Sequence, residues 1–147
     1  LKNISNQLIF GAEYDFFERE DGYDALCKTY NLNFKETMDM DIGLKYQALN
    51  QGKVDVMTIF TTDGQLSNDQ IVVLEDDQHF YPSYMCGNVV RSDVLKKHPE
   101  LKKVLKKLSY KINDLQMAQL NDLVESKGKE PKEVAKSYLK KLKLLKE

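Results

Sequence analysis

The chain has 147 residues, a length that suits one domain. Hydrophobic residues make up 41% of the sequence and charged residues 31%, a balance that supports one core and argues against wholesale disorder. The formal net charge of -1 provides no global attraction to nucleic acid or to an anionic membrane. No apolar run approaches the ~20 residues that a membrane-spanning helix needs.

The first half of the chain alternates between short apolar runs and amphipathic stretches, with a polar, acidic loop at residues 13–22. Predicted strands, bounded by turn residues, cover residues 8–11, 33–38 and 54–60. Predicted helices cover residues 23–30 and, behind an Asp41 cap, 41–51. The segment 54–60 ends almost wholly apolar, which is typical of a central strand. The order strand–helix–strand–helix–strand predicts an open α/β sheet with crossover connections.

The second half begins with two more predicted strands, at residues 71–74 and 85–91, and then becomes helical. The predicted helix starts are Ser92, Pro99, Asn113 and Pro131. We therefore predict an all-helical C-terminal tail whose apolar stripes pack on sheet from elsewhere. Residues 1–91 contain 7 Lys and Arg against 15 Asp and Glu, and residues 92–147 contain 15 against 8. A solvated lysine-rich face explains the basic tail better than a phosphate-binding surface.

The acidic loop surrounds Arg19, the only arginine among the first 90 residues. Its carboxylates, from Glu13 to Asp21, fit a solvated loop near a helix N-terminus better than an acid–base pair or a cation site, because no D-x-D-x-D-G spacing is present. The planar guanidinium of Arg19 suits either a ligand carboxylate or a plain loop ion pair, and both interpretations remain open.

The sequence offers few groups for catalysis. The only histidines are His79 and His98, and no nucleophile motif, phosphate loop, dinucleotide motif or metal-ligand spacing is present. We predict that the protein is not an enzyme and uses no cofactor and no metal. Cys27 and Cys86 lack CxxC spacing. Two small buried thiols are favoured over a disulfide, which stays open.

Two features at the end of the third predicted strand suggest a binding site. Residues 61–64 are turn-forming and follow the strand directly, and ligands of open α/β sheets lie beyond the carboxyl ends of strands. Phe60 closes the same strand, and Tyr81 and Tyr84 flank the later Pro82. Rings that converge at strand ends can cage a cation at ~0.5–2 kcal/mol each. Packing of the domain edge is the alternative role for these rings.

Several motifs, in order and nearly end to end, resemble the substrate-binding proteins of ABC importers for glycine betaine, carnitine and choline, the OpuAC-like osmoprotectant family. Related members take up other trimethylammonium compounds such as ergothioneine. The motifs are FGAE at 10–13, FFEREDG at 16–22, GLKYQAL at 43–49, GKVDV at 52–56, TTDGQL at 61–66, LEDD at 74–77, HFYPSY at 79–84 and VVR at 89–91.

The resemblance implies a type II periplasmic-binding-protein-like fold, in which two α/β lobes joined by a hinge close on the ligand. It assigns residues 1–88 to most of the second lobe and residues 89–147 to the returning C-terminal part of the first. The N-terminal half of the first lobe is then absent, in line with a chain that starts at Leu1 with neither an initiator methionine nor a signal segment. We accordingly expect weak or no affinity for ligand in the isolated chain, and an uncovered face that favours dimerisation or strand exchange between copies.

The resemblance also assigns site residues. Tyr84 matches a cage tyrosine, Phe60 stands where another cage tyrosine is usual, and Arg19 matches the arginine that holds the ligand carboxylate. Phe60 keeps the ring face but lacks the hydroxyl. Thr61 and Asp63, as turn residues at the strand end, are further candidate contacts.

The implied function is capture of quaternary ammonium compounds by an extracytoplasmic solute-binding domain of an ABC importer, for osmoprotective transport. The implied partners are the small-molecule ligand and an ABC permease subunit, separate or fused to the domain. The implied location is the outer face of a bacterial cell membrane, with a lipid anchor or a fused permease. The alternative function is a sensing domain of the same fold that signals to a fused output.

Overall fold

The computed structural model describes residues 1–67, 71–81 and 85–145, and the chain divides into two units. One unit contains Leu1–Ile59 and Val73–Ser83, and the other contains Phe60–Val72 and Tyr84–Glu147. Residues 60–72, which the family resemblance assigns to the second lobe, thus group with the C-terminal residues. Each unit is described by itself below.

The first unit is built on a parallel sheet with three strands among the described residues. They are β1 (Ile9–Ala12), β2 (Glu36–Asp39) and β3 (Val56–Met57). Phe10 of β1 lies opposite both Thr37 and Val56, so β1 is central. The three strands predicted for this unit are confirmed, but the central position predicted for residues 54–60 is wrong. The chain leaves the sheet after Thr58, whose N–H still donates to the Gly11 carbonyl at 3.4 Å.

Along the chain, three α-helices lie in the connections between these strands. They are α1 (Tyr14–Glu18), α2 (Tyr23–Tyr30) and α3 (Lys45–Asn50). The Asp41 carboxylate accepts the Gly43 N–H at 2.8 Å and opens a 3-10 turn that leads into α3, which confirms the predicted cap. The prediction of a loop throughout residues 13–22 is wrong, because Phe16 is buried against Phe10 and draws residues 14–18 into a helical turn.

The core of the first unit is mostly aromatic. Phe10, Ala12, Phe16 and Phe34 are its buried members. The ring centroid of Phe10 lies 4.8 Å from that of Phe34 and 5.2 Å from that of Tyr23. This cluster fixes β1 against α1 and α2, so the residues that follow β1 are held at a defined place beyond the sheet's carboxyl edge.

The second unit carries four helices in its described residues. They are α4 (Ser92–Lys97), α5 (Glu100–Leu105), α6 (Asp114–Glu125) and α7 (Pro131–Lys141). The predicted capping box at the start of α6 is confirmed, since Asn113 and Gln116 satisfy each other's backbone N–H groups. In the described part of the chain, no helix has the length and apolar character needed to cross a membrane.

The strands predicted at residues 71–74 and 85–91 are wrong, because both segments lie outside the sheet and pair with no strand among the described residues. Their apolar side chains are largely in solvent: Val72 is 81% exposed, Met85 73% and Val89 100%. Strand-like sequence alone does not form a strand, because the backbone needs a neighbouring strand to receive its hydrogen bonds.

Both cysteines are free thiols, but only one is shielded: Cys27 is half-buried and Cys86 is exposed. The interpretation of Cys86 as buried is therefore wrong. Burial raises the pKa of the Cys27 thiol, and burial together with a hydrogen bond to Cys27 raises the pKa of Tyr23 to about 12. A raised thiol pKa lowers the thiolate fraction and hence the reactivity of the cysteine.

We expect Cys86 to react with a thiol-specific disulfide reagent at pH 8 about tenfold or more faster than Cys27. Raising the pH increases the Cys27 rate, because deprotonation of a thiol with a raised pKa is completed only at higher pH. Absorbance kinetics on the Cys27→Ser and Cys86→Ser variants separate the two rates. Equal rates at pH 8 contradict the prediction, and the absence of both thiols in the unreduced protein indicates a disulfide.

Candidate functional site

Arg19 follows α1 directly and is held in a defined orientation. Its Nε donates to Asp21 Oδ1 and its Nη2 to Asp21 Oδ2, both at 2.7 Å. The hydrogen bond from Arg19 lowers the pKa of the Asp21 carboxyl. The Arg19 side chain is 39% exposed. The loop ion pair considered from the sequence is therefore present, and it orients an arginine side chain that is still partly exposed.

The predicted turn after the third strand is confirmed, and its residues bond to one another. The Asp63 carboxylate accepts the Phe60 N–H at 3.2 Å, and the Asp63 N–H donates to the Phe60 carbonyl at 2.9 Å. Asp63 therefore closes the turn and has a structural role of its own. Phe60 is 46% exposed.

The same turn is fastened to α6 within the second unit. The Thr61 hydroxyl donates to Asp114 Oδ2 at 2.7 Å, and the Asn121 side-chain amide donates to the Thr62 carbonyl at 2.8 Å. A Cβ at Gly64 would lie 2.6 Å from the Asp122 nitrogen. The backbone at Gly64 thus approaches α6 more closely than any side chain permits, which explains the glycine of the TTDG motif.

A groove of about 610 Å³ runs beside this turn and includes Thr61 in its lining. The remaining lining residues are Gly64, Leu66, Leu115, Ala118, Gln119, Asp122 and Leu123. These side chains are aliphatic or polar, so the groove is not the ring box that a quaternary ammonium group favours.

The structure brings Phe60, Thr61 and Asp63 together in one turn of the second unit. Arg19 lies in the first unit. Tyr84 lies outside the described residues, so its assignment as a cage residue stays a prediction. In the described ranges 1–67, 71–81 and 85–145, no cluster of three or more His, Cys, Asp or Glu residues is placed to hold a metal ion.

A buried ion pair at the sheet's carboxyl edge was not predicted. The side chain of Lys45, at the start of α3, is only 3% exposed, and its Nζ lies 3.6 Å from Glu13 Oε1. Glu13 comes directly after β1, and its Oε2 accepts the hydroxyl of Thr58, which follows β3, at 3.2 Å. The pair therefore ties the ends of two strands to a helix. The signal in the sequence was a single lysine inside the otherwise uncharged GLKYQAL motif.

A second cluster that was not predicted lies at the end of α2. The Tyr30 hydroxyl donates to Asp76 Oδ1, and it accepts the Gln78 N–H at 3.1 Å. Burial raises the pKa of Tyr30, and the hydrogen bond from Tyr30 lowers the pKa of Asp76. The LEDD motif carried this signal, but a carboxylate gives no indication of its partner until the chain has folded.

Solved structures show which class of protein has this fold. A crystal structure of a glycine betaine/carnitine/choline ABC transporter matches with a TM-score of 0.77 and 40% sequence identity, over 96% of this chain and 52% of that chain. Apo YehZ from Escherichia coli matches with a TM-score of 0.63 and 25% sequence identity, over 95% of this chain and 53% of that chain. The chain therefore has the α/β fold of ABC-importer solute-binding proteins.

Sequence comparison narrows the class to one family. The model of the substrate binding domain of ABC-type glycine betaine transport systems matches residues 1–141, and the chain belongs to this family. The ergothioneine transport permease/ergothioneine binding protein EgtU of Helicobacter pylori (strain G27) is 45% identical over 94% of this chain and 25% of its own length. The carnitine transport binding protein OpuCC of Listeria monocytogenes is 39% identical over 96% of this chain and 46% of its own length. The chain thus spans between a quarter and about half of these relatives.

Proposed function

We propose that the protein containing this chain captures quaternary ammonium compounds of the glycine betaine, carnitine, choline or ergothioneine type for an ABC importer. The match of the family's substrate-binding domain along residues 1–141 carries the proposal. The named relatives are transport proteins for such compounds, and none of them favours the sensing alternative. The proposed role is binding without turnover.

The proposed architecture is a type II two-lobe domain that closes on its ligand. In it, residues 1–88 supply most of the second lobe, and residues 89–147 supply the returning, helical part of the first. Ligand bound between lobes favours the closed form, which a permease distinguishes from the open one. The proposed partner is an ABC permease, separate or fused, at the outer face of a bacterial membrane. Fusion has a parallel in the Helicobacter relative, whose name joins permease and binding protein.

The proposed site recognises the two ends of a zwitterion differently. The rings of Phe60 and Tyr84 attract the diffuse cation through their faces, and Arg19 binds the carboxylate through its guanidinium. The bidentate contact with Asp21 supports this role for Arg19, because it holds the side chain in one orientation before ligand arrives. Thr61 and Asp63 shape the turn that carries Phe60.

Calorimetric titration of the full-length protein with glycine betaine, carnitine, choline and ergothioneine tests this function. For Arg19→Ala we expect a loss of ~10–100-fold in affinity for the three carboxylated ligands, because a hydrogen bond to a charged group contributes ~1.5–3 kcal/mol. Choline has no carboxylate, so its affinity changes by less than about twofold.

Arg91→Ala is the matched control, because Arg91 also pairs with an aspartate two residues later, Asp93, and is largely exposed. The control leaves all four affinities unchanged. No binding of any ligand by the unsubstituted protein overturns the proposed ligand class. Equal losses for choline and carnitine in Arg19→Ala overturn the role of Arg19.

A further inference from the structure

We propose that Tyr30 and Asp76 are positioning residues for ligand binding, because together they hold the Asp76 turn, defined as residues 76–81, in one conformation. The inference rests on the proposed function and adds to it two residues that do not touch the ligand themselves. Both lie in the first unit together with the turn that they hold.

The Asp76 carboxylate organises the turn from within. Its Oδ1 accepts the Phe80 N–H at 2.9 Å, its Oδ2 accepts the Tyr81 N–H at 2.9 Å, and its carbonyl accepts the His79 N–H at 3.1 Å. His79 adopts a left-handed backbone conformation with φ of 53°, which is unfavourable for a residue with a side chain. The hydrogen bonds to Asp76 compensate for this conformation.

Tyr30 fixes the turn to the body of the unit. It is the last residue of α2, so its ring is attached to an element that packs on the aromatic core. Its hydroxyl both donates to Asp76 and accepts from the Gln78 N–H. A single hydroxyl therefore joins the carboxylate that organises the turn to the turn's own backbone.

The Asp76 turn leads directly to the proposed cation cage. Phe80 and Tyr81 stack edge to face, with ring centroids 4.7 Å apart, and the chain then continues through two residues to Tyr84. Tyr81 is itself one of the rings that the sequence analysis considers for caging a cation, and it is 38% exposed, so the turn directly holds a ring that a ligand cation can reach. Order before binding raises affinity, because less conformational entropy is lost when the ligand arrives.

Titration of full-length Tyr30→Phe with carnitine and choline tests the inference. We expect about a tenfold loss of affinity for both ligands, the effect of one charge-assisted hydrogen bond. The loss is equal for the two because the turn serves the cation that they share. The matched control is Tyr138→Phe, which also removes a hydroxyl with a hydrogen bond, here to the Lys111 carbonyl at 2.9 Å. The control changes neither affinity by more than about twofold.

Amide hydrogen exchange at Phe80 and Tyr81 distinguishes local loosening of the Asp76 turn from general destabilisation of the protein. Exchange there becomes faster in Tyr30→Phe and in Asp76→Asn, while core amides such as that of Phe10 exchange as before. If the unsubstituted protein binds and Tyr30→Phe binds equally well, the inference alone is overturned. If the loss is confined to carnitine, the inference is also overturned, because the turn would then act on the carboxylate. If the unsubstituted protein binds none of the ligands, the proposed function fails and the inference fails with it.

Discussion

Glu13→Gln is expected to lower the free energy of unfolding by about 3–5 kcal/mol, the effect typical of removing one member of a buried ion pair. The Lys45 side chain is 3% exposed and its Nζ lies 3.6 Å from Glu13 Oε1. Replacing the carboxylate with an amide takes away a negative charge that lies 3.6 Å from a buried ammonium group. The Tyr46 ring, whose centroid is 5.6 Å from Nζ, compensates only a small part of that loss.

Substitution of the other member of the pair, Lys45, is expected to lower the free energy of unfolding by less. In Lys45→Met the side chain stays apolar and of similar length, and Glu13, whose side chain is 21% exposed, keeps the hydrogen bond from the Thr58 hydroxyl. We expect a loss of about 1–3 kcal/mol. The double variant is expected to be more stable than Glu13→Gln alone, because it leaves no buried charge.

Urea unfolding of the full-length protein, followed by circular dichroism, measures these differences. Glu20→Gln is the matched control, since Glu20 lies in the same segment and is exposed. It changes stability by no more than about 0.5 kcal/mol. A Glu13→Gln variant as stable as this control contradicts the prediction, as does a double variant that is less stable than both single ones.

The elements that the sequence predicts well are those with local causes. The cap at Asp41, the capping box at Asn113 and the helix start at Pro131 depend on residues within one turn of each other, and each is confirmed. The first predicted strand is confirmed for a related reason. The predicted run closes at Gly11, whereas the strand continues to Ala12. A Cβ at Gly11 would lie 2.9 Å from Val54 Cγ1, so this glycine marks close packing inside the strand.

The elements that the sequence predicts poorly depend on partners elsewhere in the chain. Residues 71–74 have the composition of a strand but no neighbouring strand among the described residues. The acidic loop contains α1 because Phe16 finds the core, a contact that charge counting does not reveal. The candidate site follows the same rule. The motifs predict Arg19 and Phe60 as ligand contacts, whereas the Lys45 and Tyr30 contacts, which join residues 32 and 46 positions apart, are not predicted.

Gly22→Ala is expected to disturb stability and ligand binding together, because this glycine shapes the loop that holds Arg19. A Cβ at Gly22 would lie 1.9 Å from the Phe16 carbonyl oxygen and 3.0 Å from that of Arg19. Both atoms belong to the backbone, so no side-chain rotation relieves the contact. The Gly22 N–H also donates to the Arg19 carbonyl at 3.0 Å, and the loop must open to accept a methyl group.

The expected loss of stability is about 3 kcal/mol, the upper end of the usual range for overpacking, since the contact is with backbone. Displacement of the loop also moves the Arg19 guanidinium, so affinity for carnitine falls at least as far as in Arg19→Ala, while choline is affected less. Gly87→Ala is the matched control, because a Cβ there meets nothing within 4 Å. Thermal unfolding and titration of the full-length variants provide both measurements. A Gly22→Ala variant with the stability of Gly87→Ala contradicts the packing argument. A Gly22→Ala variant that is unstable yet binds carnitine normally shows that the loop does not position the carboxylate site. The structural reason for assigning carboxylate binding to Arg19 is then lost.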